Sequence, residues 1–258
     1  MAALAIVGSA QASPRVLSLD QCADQYVLAL SSRSAIVGLS TRADDPDSRL
    51  RVLAIGLPLR RTTLESALAS RPQVVVRYWG GDPRLVAALQ RRGAEVVTID
   101  DATDFEGVRT NVRRVARALE NPAQGEVIVS AMDRRLARSL GAWRGASALY
   151  LTPGGFTGGQ GTMVHQILKS AGFTPPPLGP GYQPVSLESL ALHPPRTLVL
   201  GFFEDFMMAN NHWGMGRHPV VQRLAAERTV ARLPGALLGC PEPGAAEAVE
   251  RLALRAPR

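Results

Sequence analysis

Apolar positions along this chain switch between short continuous runs and runs of helical spacing. Arg15-Val16-Leu17-Ser18-Leu19 reads as a first strand, and Cys22 to Leu30 reads as the helix after it. Ala35 to Leu39 reads as a second strand, followed by a loop holding Asp44, Asp45, Pro46 and Asp47. A short helix opening at Leu64 and a strand at Val74-Val75-Val76 come next. The pattern continues with a helix from Pro83 to Arg92, a strand from Glu95 to Ile99 and a helix from Phe105 to Leu119. Strands alternating with helices predict parallel sheet and right-handed crossovers.

A segment of different character follows. Pro122 suits a first helical position, Gly141 suits the residue after a helix end, and Ile128, Met132, Leu136 and Leu140 recur every four residues. One helix of about 20 residues, roughly 30 Å long, is expected. Beyond it the alternation restarts: a strand from Ser147 to Leu151, a Gly-rich loop from Pro153 to Gly161, a helix from Thr162 to Ala171 and a Pro-rich crossing through Pro175, Pro176, Pro177, Pro180 and Pro184. His218 to Ala226 then reads as a helix, Thr229 to Leu233 as a strand and Ala245 to Leu254 as a closing helix.

The two halves share a written unit. Thr63 to Val76 aligns without a gap on Ser186 to Val199, the second copy standing 123 positions after the first (63 against 186). In each copy Leu-Glu-Ser opens a short helix, Pro ends it and a buried strand follows. The strand empties into Tyr78-Trp79-Gly80-Gly81-Asp82 in the first copy and Phe202-Phe203-Glu204-Asp205 in the second. A repeat at half the chain length is no solenoid period. The predicted fold class is therefore α/β, with two similar lobes of mainly parallel sheet joined by one long rigid helix. The expected boundaries are an N-terminal lobe over 13–120, a connecting helix over 121–141 and a C-terminal lobe over 142–258.

Composition narrows the function. A net charge of +7 suggests nucleic acid, but the arginines are scattered and no basic run is interleaved with aromatics, so no nucleic-acid partner is expected. Only Lys169 is a lysine, a bias that points to genome composition. No apolar run approaches the roughly 20 residues of a spanning helix, so no membrane insertion is expected. Ala10-Gln11-Ala12 before Ser13 has the A-x-A form of a signal-peptidase site, although the usual basic start is missing. Residues 1–12 are read as a signal-peptide remnant, with Ser13 as the first mature residue.

Several stretches together resemble one family. They are Arg15-Val16-Leu17-Ser18-Leu19 running straight into a helix, Ile36-Val37-Gly38-Leu39, and Leu64-Glu65 leading to Arg71-Pro72-Gln73-Val74-Val75. In the second half they are Ser186-Leu187-Glu188 leading to Pro195, and Arg217-His218-Pro219-Val220. With the long central helix, their order is similar to that of the periplasmic solute-binding proteins of metal-chelate ABC importers, which carry iron-siderophores, haem or cobalamin. The similarity covers nearly the whole chain after Ser13. It implies a class III periplasmic-binding-protein-like architecture, a ligand held between the lobes and little closing motion. It also implies a periplasmic monomer without catalytic residues, with metal only as part of the bound chelate and no other cofactor. The implied partners are the chelate and the permease dimer of an ABC transporter.

In members of that family a Glu near the start of this helix in each lobe docks onto permease arginines. Here these would be Glu65 and Glu188, a pair that can seat a two-lobed protein on a two-fold partner. A local reading is also open: Thr62 and Glu65 fit a capping box, which the second copy lacks because Val185 stands in the place of Thr62.

Ligands of such lobes sit at the carboxyl ends of the strands. That rule selects Asp20, Gln21, Cys22, Arg77, Tyr78 and Trp79 in the first lobe, and Phe156, Phe202, Phe203 and Trp213 in the second. Aromatic walls suit a corrin, a porphyrin or a catecholate. Arg42, Arg60, Arg61 and Arg77 are candidates for carboxylates or phosphate on the ligand, with surface or core roles equally open. The loop Gly154 to Gly161 has no Lys for a phosphate loop and no third Gly for a dinucleotide fingerprint. A flexible cleft wall with free backbone N–H groups is the expectation. His165, His193, His212 and His218, with Glu204 and Asp205, are weighed as metal ligands, but His212 and His218 lack a standard ligand spacing, so no metal site is assigned.

Cys22 and Cys240 are the two cysteines. A bridge between the lobes, separate buried thiols and thiolate ligation of a metal remain open alternatives. The reading as a whole is a periplasmic receptor for a bulky chelate, cobalamin or a related corrinoid ahead of haem and siderophores. Two alternatives stand beside it: a doubly wound enzyme holding a phosphorylated substrate at residues 154–161, and a receptor for free metal ions.

Overall fold

The computed structural model describes residues 13–203 and 214–257. In the first lobe β1 (Val16–Ser18), α1 (Gln21–Leu30), β2 (Ile36–Ser40), α2 (Arg51–Ala54), β3 (Leu59–Arg60), α3 (Leu64–Ala69), β4 (Val74–Arg77), α4 (Pro83–Arg91), β5 (Glu95–Thr98) and α5 (Phe105–Ala118) follow in order. The five strands form one parallel sheet, ordered β3-β2-β1-β4-β5, with Val16 opposite Val74. Helices cover both faces, so the strands carry unbroken apolar runs. Val16, Val74 and Val76 point to the side packed by Tyr26 and Val27 of α1 and Val108 and Val112 of α5. Leu17 and Val75 point to the other, onto Ala67, Leu85 and Leu89.

The connecting helix α6 (Pro122–Ser139) has 18 residues. It stops before Leu140, which caps it and is exposed rather than part of the buried stripe; that stripe is Val129, Met132 and Leu136. A Cβ on Gly125 would lie 2.6 Å from the Ala116 Cβ, so this glycine lets α5 and α6 meet at short range.

The second lobe holds β6 (Leu149–Leu151), β7 (Phe156–Gly158), α7 (Met163–Ser170), β8 (Tyr182–Pro184), α8 (Leu187–Leu192), β9 (Leu198–Gly201), α9 (Pro219–Arg228), β10 (Thr229–Leu233) and α10 (Ala245–Ala253). Its parallel sheet, β10-β9-β6, has three strands among the described residues. Val199 faces the same continuous core as α6 and α10, while Leu198 and Leu200 face Leu190, Val221 and Leu224. Because one apolar core runs from α1 and α5 through α6 to α10, the connector is packed along its length.

The repeated unit forms as expected, with one correction to its capping. Thr63 and Ser186 are the N-caps, each accepting a hydrogen bond at 3.3 Å from Ser66 N and Ser189 N. Both copies are therefore capped alike. Thr62 instead donates its hydroxyl to Leu19 O at 3.2 Å.

The cleft between the lobes

The turn after β4 is held open by the turn after β1. Asp20 caps α1 through Oδ1, which accepts from Ala23 N at 2.9 Å. Its Oδ2 accepts from Tyr78 N at 2.6 Å and from Gly80 N at 2.9 Å. A Cβ at position 80 would stand 2.2 Å from Leu19 O, so only glycine lets the two turns approach. Arg77 folds back to donate to Gly80 O at 2.7 Å. The fixed turn presents Trp79, which is 73% exposed, with Tyr78 edge-on at 4.8 Å.

Across from it stand Gly181, Tyr182 at the start of β8, and Thr162 and Met163 at the start of α7, lining a cleft of about 370 Å³. Asp101 lies on the first lobe's side, and Leu238 to Pro241 close the space between the lobes. Tyr78 donates its hydroxyl to Asp101 Oδ1 at 2.6 Å. Burial, with that bond behind it, holds the Tyr78 phenol above its ordinary pKa. Burial and the Asp101 charge push the Tyr182 phenol the same way. The Tyr182 hydroxyl has no hydrogen-bond partner among the described residues and is free to meet a ligand.

A segment of the second lobe fastens this end of the cleft to the first lobe. Cys240 and Cys22 form a disulfide, with Cα atoms 5.3 Å apart. Tyr26 donates to Pro241 O, and Arg49 grips both oxygens of Glu242 at 2.6 and 2.7 Å. Glu242 is 3% exposed, so the ion pair is held largely out of water.

Of the residues selected from sequence, Tyr78 and Trp79 line this cleft, and Cys22 is bonded to Cys240, which does. Asp20 and Arg77 sit behind the lining, their polar atoms spent on the turn that carries Trp79. Gln21 donates to Asp47 Oδ1 at 2.8 Å. Phe156 is exposed on β7 but outside the cleft lining. Phe202, at φ 62°, is packed against the main core, and Phe203 joins the apolar cluster behind β9. Neither phenylalanine lines the cleft, because the backbone turn at Phe202 delivers both rings to apolar layers. Trp213, His212, Glu204 and Asp205 lie outside the described residues.

The Gly-rich stretch is no free loop. Its middle is β7, paired antiparallel with β8, and Gly159 donates its N–H to Gly181 O at 2.8 Å. Gly155 and Phe156 donate their N–H groups to Thr152, so several of its backbone donors are already used within the protein. His218 caps α9 and His193 ends α8. His165 is held below its ordinary pKa by burial and by Lys169. No three His, Cys, Asp or Glu converge among the described residues. Arg42 pairs with Asp45 and Asp47, and Arg60 donates to Val37 O at 2.7 Å, so neither faces the cleft; Arg61 is exposed.

Sequence reasoning did not select Asp101, Met163 or Tyr182. Asp101 follows a strand's carboxyl end, the same signal that selected Trp79. Tyr182 sits within the Pro-rich crossing, where no apolar alternation marks a strand.

No protein-family profile matches the chain, and no curated protein matches it. Solved structures do. A periplasmic haem-binding protein from Pseudomonas aeruginosa matches with a TM-score of 0.69 at 23% identity, over 93% of this chain and 91% of the other. The periplasmic vitamin B12-binding protein BtuF of Vibrio cholerae matches with a TM-score of 0.64 at 19% identity, over 94% and 96%. An ABC-type Fe3+-hydroxamate transport system protein from Saccharomonospora viridis matches with a TM-score of 0.70 at 18% identity, over 94% and 93%. The chain has the two-lobed fold of these proteins along nearly its whole described length.

Proposed function

We propose that the protein is the periplasmic substrate-binding component of an ABC importer for a metal chelate, held between Trp79 on one lobe and Tyr182 on the other. The observation that carries this reading is a cleft walled by two exposed aromatic rings from opposite lobes, 73% and 55% exposed, in a fold shared with haem-, B12- and hydroxamate-complex-binding proteins. Exposed rings lining one cleft from opposite lobes favour a flat or bulky apolar ligand, which covers the apolar area they leave in water. The phenol of Tyr182 becomes a hard oxygen donor once a ferric ion displaces its proton, which shifts preference from cobalt corrinoids toward ferric chelates. Metal belongs to the cargo, and the chain acts by binding rather than by catalysis.

Delivery is assigned to Glu65 and Glu188. Each is exposed in the first turn of a six-residue helix, the two helices are capped alike, and neither carboxylate has an ion-pair partner among the described residues. Paired charges on matching helices suit arginines of a two-fold permease.

Tryptophan quenching and thermal shift with hemin, cobalamin, a ferric hydroxamate, zinc and ATP test the binding role. Saturable quenching by one chelate, at least ten-fold weaker in both Trp79→Ala and Tyr182→Ala, is expected. A response to ATP or zinc with none to the chelates overturns it. For delivery, Glu65→Ala with Glu188→Ala is expected to bind the chelate normally and fail in transport; normal transport would refute docking through those residues.

A further inference from the structure

Away from the cleft, α1, α2, α5 and α6 line a second cavity, open to solvent, of about 420 Å³. Its apolar wall comes from Ala29, Leu30, Leu53, Val112, Ile128 and Met132. No described residue lines both cavities, although the segment that closes the cleft at Pro241 lines this one through Glu242, Pro243 and Gly244. The volume falls within the range of small-molecule sites, about 300–1,000 Å³, and the cavity lies where both lobes meet the connector.

The polar lining is unevenly charged. Arg49, Arg134, Arg135 and Arg138 face or rim the cavity. Arg49 is taken up by Glu242, while Arg135 and Arg138 share Glu250 at 2.8 and 3.6 Å. Arg134 has no partner among the described residues. Four guanidinium groups thus meet two carboxylates beside an apolar wall.

We infer that this cavity is a binding site for an amphiphilic monoanion, an alkyl carboxylate of medium chain length. Its chain lies along Leu30, Leu53 and Ile128, removing apolar area from water. Its carboxylate meets the fork of Arg134, with Arg138 one turn further along the same helix. A cationic amphiphile of equal length is rejected by the same charges.

Isothermal titration of the whole protein with sodium decanoate tests the site, with decyltrimethylammonium as the opposite-charge control. One equivalent of decanoate is expected to bind, with the cation at least ten-fold weaker. Arg134→Glu, an exposed position, is expected to weaken decanoate at least ten-fold, and Ala131→Trp to fill the cavity and block it. Trp79→Ala is expected to leave decanoate affinity unchanged. Absence of saturable binding overturns the inference; so does binding that survives both α6 variants, or that is lost in Trp79→Ala and therefore belongs to the cleft.

Discussion

Asp24 is a carboxylate buried on α1, accepting from Ser40 N at 3.0 Å and from the Ser40 hydroxyl at 2.6 Å. No cation among the described residues faces it, and burial outweighs these bonds, raising its pKa from 3.8 to about 6. One pKa unit is worth about 1.4 kcal/mol, so carrying the ionised form at neutral pH costs the fold about 3 kcal/mol. The sign follows from the raised value: Asp24 favours the native state fully below pH 3.8, and that contribution is lost as pH climbs through about 6. Asn keeps an acceptor for Ser40 N and can donate to the Ser40 oxygen, without the charge. Asp24→Asn is therefore expected to be more stable than the parent at pH 7.5 by about 2–3 kcal/mol, with the advantage shrinking toward zero near pH 4. Urea unfolding of both proteins at several pH values measures that difference directly. Subtracting one from the other removes surface pairs such as Arg113–Glu126, which titrate in both. A difference that stays constant between pH 4 and 7.5, or an Asn variant less stable at neutral pH, would refute the argument.

Reduction of the disulfide, or Cys22→Ser with Cys240→Ser, is expected to lower stability by roughly 5 kcal/mol on the chain-entropy model for a separation of 218 residues, read from urea midpoints with and without reductant. Gly80→Ala forces a methyl against Leu19 O; a loss of about 1–3 kcal/mol is expected, with weaker chelate binding than the stability change alone explains, as Trp79 is displaced. Glu242→Gln strips the charge from a buried pair and leaves the Arg49 guanidinium uncompensated, for an expected loss of about 3–5 kcal/mol in the same assay; a loss below 1 kcal/mol would show that water reaches Arg49.

Much of the fold was legible because sheets covered on both faces need unbroken apolar strands. Val74-Val75-Val76 and Leu198-Val199-Leu200 announce themselves for that reason. The ribbon of β7 and β8 was hidden: Phe156-Thr157-Gly158 and Tyr182-Gln183-Pro184 carry no apolar alternation, and it is the antiparallel backbone pairing that joins them. The site was legible in part. A residue at a strand's carboxyl end can line a cleft, as Trp79 does, or cap the next helix, as Asp20 does, and sequence position is the same for both. Cys240 was the one partner within the chain that Cys22 could have, but whether two thiols 218 residues apart pair is decided by the folded distance between their Cα atoms, 5.3 Å.

The bridge between Cys22 and Cys240 makes a covalent ring of most of the chain, and that sets an order of events. It cannot close until both lobes exist and the segment before α10 has reached α1. With only two cysteines, no scrambled isomer exists within one molecule. Wrong pairing must join two molecules, so the oxidation error of this protein is a concentration-dependent dimer, suppressed by dilution rather than by an isomerase.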